Sequence, residues 1–166
     1  MSELFDLIDE AGRVVGRATR EECHRDPSLV HRAVHVLVFD SRGDLYLQKR
    51  APTKDVQPGR WDTSVGGHLA LGEDYEQAAY RELGEELGIR GVVLEGPLYR
   101  YRIRSAIETE EVASYKLVYD GPIRPDPVEI SEGRFWTLEE IRGRFGSGTF
   151  TPNFEEELTR YLALAT

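Results

Sequence analysis

The chain reads as an α+β domain, an α/β/α sandwich built on a mixed β-sheet with an N-terminal β-hairpin. Three observations predict it. Short β-branched runs recur from Leu4 to Trp136. A helical apolar stripe interrupts them at Ala79, Leu83 and Leu87, spaced i, i+4, i+8. A second stripe ends the chain at Phe154, Leu158, Tyr161 and Leu162. Strands interspersed with helices that cover both faces make the sandwich, and 166 residues fit one domain, 1–166, with an ample core.

In chain order, Leu4 to Ile8 and Val14 to Ala18 flank the turn Asp9-Glu10-Ala11-Gly12 and form the N-terminal hairpin, a cover or a homodimer contact. Arg32 to Phe39 is valine-rich enough for a central strand, and Asp40-Ser41-Arg42-Gly43 turns it into Asp44 to Arg50 as a second hairpin. A loop with Pro52, Pro58 and Gly59 leads to a short strand around Trp61 to Val65 and then to the mid-chain helix, which Gly88 stops. Val92 to Ile103, Val112 to Tyr119 and Glu132 to Trp136 supply further strands. Thr137 and Glu140 form a capping box for a brief helix, and Thr151-Pro152 opens the last one, with Pro at its first position.

A net charge of -9 argues against a nucleic-acid surface. No stretch reaches the roughly 18 apolar residues of a membrane span. The single cysteine, Cys23, excludes an internal disulfide and multi-cysteine zinc sites, and reads as an inert thiol in a reducing cytosol. The expectation is a cytoplasmic protein that engages neither nucleic acid nor membrane.

The chemistry concentrates in residues 67–89, GHLALGEDYEQAAYRELGEELGI. At 3.6 residues per turn, Glu82, Glu85 and Glu86 fall at i, i+3 and i+4 and share an arc of about 100° beside the buried stripe. Three carboxylates on one arc can hold a divalent metal, although an arbitrary helix with this pattern is more often a solvated face. Arg81, four residues before Glu85, can pair with it and keep it ionised. Gly84 costs about 1 kcal/mol inside a helix relative to alanine, which a close approach at that point would explain.

The wider pattern decides between these readings. Gly67, five residues, Glu73, seven residues, Arg81-Glu82-Leu83, one residue, Glu85-Glu86, one residue, Gly88-Ile89 resembles the complete signature box of the Nudix hydrolases. The resemblance implies a Mg2+- or Mn2+-dependent enzyme that hydrolyses the P-O-P linkage of a small organic diphosphate, such as a nucleoside diphosphate linked to a further group. It implies Glu82, Glu85 and Glu86 as metal ligands, with Gly67 as a backbone contact near the metal and Glu73 as a structural or outer ligand. Glu82 and Glu85, oriented by Arg81, are the catalytic candidates, and which glutamate deprotonates the attacking water stays open.

A second resemblance, over roughly residues 3 to 75, is to the isopentenyl-diphosphate isomerase branch of that superfamily. LIDEAGRVVGRA, His24 and His31, HRAVHVLVFD and LQKRAPTKDVQPGRWDTSVGGH carry it. It implies a second metal site of His24, His31, His68 and Glu111; a further family glutamate falls at Thr109, a departure that Glu110 could make good. It also implies diphosphate contacts from Arg50 and Lys54, residue types that suit phosphate as a fork and a point charge. Lys49 lies on the opposite strand face from Arg50. Gly66, however, occupies the position of the isomerase cysteine, and no side chain there can transfer a proton. Together with the full glutamate set, that favours hydrolysis over isomerisation. A non-catalytic module that senses a nucleotide is the third reading. Trp61 and Trp136 read as core or rim aromatics, and Tyr99, Tyr101, Arg102 and Arg104 as a groove lining or a two-faced strand.

Overall fold

The computed structural model describes residues 3–52 and 57–164. Strands β1 (Leu4–Ile8) and β2 (Val14–Thr19) form the N-terminal hairpin, and helix α1 (Arg20–Cys23) follows. The seven-stranded sheet comprises β3 (Val30–Phe39), β4 (Leu45–Arg50), β5 (Trp61–Asp62), β6 (Val65–His68), β7 (Glu95–Arg104), β8 (Thr109–Val118) and β9 (Ile130–Trp136). Helix α2 (Tyr75–Leu87) leaves β6, and α3 (Leu138–Gly143) and α4 (Pro152–Leu164) follow β9.

The sheet is mixed, because β3 runs parallel to β8 over ten residue pairs while its pairings with β4 and β6 are antiparallel. Alternation along β3 sorts its side chains between two cores. Val34, Val36 and Val38 pack with Ala78, Ala79, Leu83 and Leu87 of α2. Leu37 and Phe39 face the other way and pack with Trp61, Trp136, Ile141, Phe154 and Leu158. Helices therefore cover both faces, and both tryptophans are core residues of the second cluster. The hairpin buries Phe5, Ala18 and Cys23 in a small cluster of its own and meets the sheet where Phe5 stacks on the His31 ring of β3.

The Asp40–Gly43 turn joins β3 and β4 as the expected second hairpin, a short one whose antiparallel pairing is at Phe39 and Leu45. Beyond it, β3 gives its ladder to β8 and β6, while β4 pairs with β9 over six residue pairs. One expectation needs correction. The single strand expected around Trp61 to Val65 is two, β5 and β6, with Thr63 and Ser64 between them. Ser64 holds this break by donating to the Tyr46 carbonyl and accepting from the Val38 amide. Among the described residues, no helix is long and apolar enough to cross a membrane.

Candidate active site

Helix α2 starts and stops where local chemistry dictates. Asp74 accepts from the Gln77 amide while the Gln77 side chain accepts from the Asp74 amide, and Gly88 closes the helix in the left-handed region at φ 67°. Burying Ala79, Leu83 and Leu87 fixes the rotation of the helix and turns Glu82, Glu85 and Glu86 toward a cavity of about 1290 Å³.

Arg81 clasps these carboxylates. Its Nε and Nη2 donate to Glu73 at 2.8 and 2.9 Å, and its Nη1 donates to Glu82 at 2.8 Å and to Glu85 at 3.2 Å. Nη2 also donates to the His68 carbonyl at 3.0 Å, tying helix to strand. The Arg81 hydrogen bonds hold Glu73 below the usual carboxylate range against the opposing effect of burial. A Cβ at 67 would stand 2.6 and 2.7 Å from the Glu82 carboxylate oxygens, so any side chain there would displace that carboxylate. At Gly84 the close approach is that of the Arg90 guanidinium, which a Cβ would strike.

Glu86 stands beside Glu82 on the cavity wall. Burial, and then the adjoining Glu82, raise it well above the usual carboxylate range, although Gln48 and the Gly66 amide bond to it. Gln48 Nε2 donates to Glu86 Oε1 at 2.8 Å. Sequence reasoning missed Gln48, yet the alternation that puts Arg50 on the cavity face puts Gln48 there as well. Two carboxylates pressed together need either a shared proton or a cation, and hard oxygen donors of this kind suit Mg2+ or Mn2+.

A second cluster adjoins the same cavity, which His24, His68, Glu108 and Glu110 line. His24 at the end of α1, His31 on β3 and His68 on β6 place one ring nitrogen each within 4.8 Å of one another. Glu110 Oε2 lies 3.0 Å from His68 Nε2 and 3.5 Å from His31 Nε2, and Glu108 Oε2 lies 2.7 Å from His24 Nε2. The geometry is not that of hydrogen bonds throughout. His24 Nε2, both His31 ring nitrogens and Glu108 Oε2 are buried with no hydrogen-bond partner among the described residues. Burial would raise Glu110, but the facing His31 and His68 overcome it and hold the carboxyl well below its usual range. Burial, and then the Glu110 charge, raise Glu108.

Glu111 does not join this set. Successive strand residues point to opposite faces, so Glu110 pairs in register with His31 while Glu111 pairs with Arg32 and turns to Tyr75 and Arg102. Thr109 donates to the Pro27 carbonyl at 2.7 Å. The acidic partners of the histidines are Glu108 and Glu110, an i, i+2 pair that the strand period could have revealed.

Arg50 lines the cavity with Nη1 3.4 Å from Asp62 Oδ2. Lys54 lies outside the described residues. At the cavity floor, His35 Nδ1 is 2.7 Å from Oε1 of the fully buried Glu157, which also accepts from Ser114 at 2.8 Å and from Tyr99 and Tyr101. Tyr99 and Tyr101 thus serve this buried network, and no sequence pattern had linked His35 to Glu157. Cys23 is fully buried, and burial followed by the Glu22 and Glu108 charges pushes its thiol up to about 11.

Known proteins resemble this chain in both sequence and shape. The NUDIX domain family profile matches residues 29–154. An isopentenyl-diphosphate Delta-isomerase of Nocardia farcinica is 36% identical over 159 residues, covering 92% of this chain and 91% of that protein. An uncharacterized Nudix hydrolase of Pseudomonas aeruginosa is 38% identical over 165 residues, covering 97% and 94%. Among solved structures, DR0079 from Deinococcus radiodurans matches with a TM-score of 0.82 at 29% identity, covering 95% of this chain and 98% of that one.

Proposed function

From the premise that this chain belongs to the NUDIX domain family, we propose that it is a Mg2+-dependent hydrolase of the P-O-P linkage in a small organic diphosphate, with Mn2+ as an alternative ion. The observation that carries this reading is Glu86 pressed against Glu82 at the cavity wall, with Gly67 cleared of any side chain to admit the Glu82 carboxylate. Glu82, Glu85 and Glu86 would hold the ion. A divalent cation bound there supplies charge neutralisation for the diphosphate and acidifies a bound water. The chain's own residues do the rest. Arg81 orients Glu82 and Glu85, Gln48 fixes one oxygen of Glu86, and Arg50 offers its guanidinium to phosphate oxygens. Lys54, which the isomerase resemblance implies as a diphosphate contact, would add a point charge.

The histidine cluster supports a second, structural ion. Three imidazoles and two carboxylates form a mixed nitrogen and oxygen set, better suited to Zn2+, Mn2+ or Fe2+ than to Mg2+. Isomerase chemistry is the weaker reading despite the similar Nocardia protein, because Gly66 offers no side chain for proton transfer. The exposed Val14 and Val15 of the hairpin support self-association as a homodimer, and the one buried thiol suits a cytoplasmic setting. Equilibrium ultracentrifugation that finds only monomer would remove the dimer.

The decisive experiment is phosphate release with Mg2+ from nucleoside di- and triphosphates, sugar nucleotides, dinucleotide polyphosphates and prenyl diphosphates. At least one strong substrate is expected, with Glu85→Gln and Glu86→Gln each losing about 10²- to 10³-fold in turnover. Wild-type rates in both variants would overturn the hydrolase. Tight binding without turnover across the panel would turn the reading to a sensing module, and deuterium incorporation into isopentenyl diphosphate in heavy water would restore the isomerase.

A further inference from the structure

We propose that His35 is a substrate-contacting residue, whose Nε2 meets a phosphate oxygen of the bound diphosphate and so holds that group against the glutamate site. The inference rests on the hydrolase reading above and adds a contact that the glutamates, Arg50 and Lys54 do not supply.

Four observations place it. First, His35 lines the same cavity as Glu82, Glu85 and Glu86. Second, the ring is anchored from behind, with Nδ1 2.7 Å from a fully buried carboxylate that Ser114, Tyr99 and Tyr101 also hold. Such an anchor fixes the imidazole orientation and leaves Nε2 as the working nitrogen. Third, no protein group among the described residues hydrogen-bonds to Nε2. It contrasts with His31, both of whose ring nitrogens are sealed from solvent, since the His35 side chain keeps 11% of its surface open.

Fourth, Gly66 connects the ring to the metal site. Its amide bonds to Glu86, and a Cβ on it would stand 3.3 Å from His35 Cδ2 and 3.7 Å from His35 Nε2. The missing side chain that argues against isomerisation is therefore also what leaves the Nε2 edge of His35 uncovered. Burial would lower His35, but the Glu157 hydrogen bond and charge, with Asp62 and Glu110, outweigh it and raise the imidazole above its ordinary value. A ring so placed presents N–H to an anion, and a charge-assisted bond results.

The test uses methylenediphosphonate, a diphosphate analogue that water does not cleave, with Mg2+ on the full-length protein. Binding is followed by calorimetry and by 15N NMR of protein labelled at its four histidines. The expected result is Mg2+-dependent binding that shifts the His35 Nε2 resonance while Nδ1 stays bonded to Glu157. His35→Gln should then weaken binding about ten- to hundredfold, the loss of one charge-assisted bond. Gly66→Ala, which presses on the ring and leaves every metal ligand in place, should weaken it in the same direction. An unmoved Nε2 resonance in wild-type protein that does bind the analogue overturns the inference and leaves the hydrolase standing, even if His35→Gln fails to fold. No Mg2+-dependent binding by wild type overturns the hydrolase and this contact together.

Discussion

The two clusters in the cavity solve one problem in opposite ways. The α2 glutamates are like charges held together by a built-in cation, since Arg81 bonds to Glu73, Glu82 and Glu85 at 2.8 to 3.2 Å. The histidines have no such clasp, and His24, His31 and Glu108 bring buried atoms together with no hydrogen bond between them. The difference separates a site that keeps its shape while an ion comes and goes from one whose polar atoms are left unsatisfied without an ion. A substrate-linked metal suits the first and a resident structural metal the second.

Breaking the clasp gives the largest expected effect. Arg81→Ala leaves three carboxylates crowded around a vacated guanidinium, so turnover on the best diphosphate substrate should fall by at least about 10²-fold. Stability should fall by about 2 kcal/mol in urea, less than for a fully buried pair because Arg81 is a third exposed. Unchanged turnover with lowered stability would reduce Arg81 to a purely structural role.

The histidine cluster should respond to metal in stability first. Zn2+ at about a hundredfold over its dissociation constant should stabilise the fold by about 2.7 kcal/mol, read as a rise in Tm. His31→Ala should abolish that rise while leaving the Mg2+ dependence of turnover in place. If the same substitution removed Mg2+-dependent turnover, the two clusters would form one centre and the contrast between them would fail.

Their legibility in sequence differs for the same reason. The glutamate site is local. Its cap, clasp, ligands and stop all lie between Glu73 and Gly88, so the helical period alone placed Glu82, Glu85 and Glu86 together. The histidine site draws on α1, β3, β6 and the start of β8, and the register of β8 against β3 decides which glutamate faces it. A slip of one residue exchanges Glu110 for Glu111, and that is where the expectation went astray. His35 and Glu157 stand 122 residues apart, on a strand and a helix with no shared motif, so nothing local foretold their contact. The fold was more legible, since α2 and α4 carried apolar stripes and α3 a capping box, whereas the four-residue α1 has no stripe to announce it; the Asp40–Gly43 turn marked the chain reversal, and turn chemistry leaves open which strands pair beyond it.

The buried His35–Glu157 pair gives a smaller effect and a pH signature that neither metal cluster should share. His35 is raised above its ordinary 6.5, so its stabilisation is complete below that value and fades as pH rises through the raised one. Glu157 is lowered, its hydrogen bond to His35 overcoming burial, so its stabilisation is complete above the ordinary 4.5 and fades as pH falls through the lowered value. Both are complete between pH 4.5 and 6.5. Wild type should exceed Glu157→Gln there by about 2 kcal/mol in urea, with the margin narrowing on either side. A margin flat from pH 4 to 9 would mean that the pair is not ionised.

Cys23 gives the smallest effect and tests how far the histidine cluster extends. It directly precedes His24, but it is sealed in the hairpin core with Phe5 and Ala18. A thiol that took part in a metal site would be driven down toward thiolate; burial instead pushes this one from 9.0 to about 11. At pH 8 that leaves roughly a hundredth of the thiolate an unburied thiol would carry, so a disulfide reagent should label the native chain at least about a hundredfold more slowly than the urea-unfolded one. Adding Zn2+ should leave the native rate unchanged. Strong protection by Zn2+ would bring Cys23 into the cluster as a thiolate donor beside the three imidazoles.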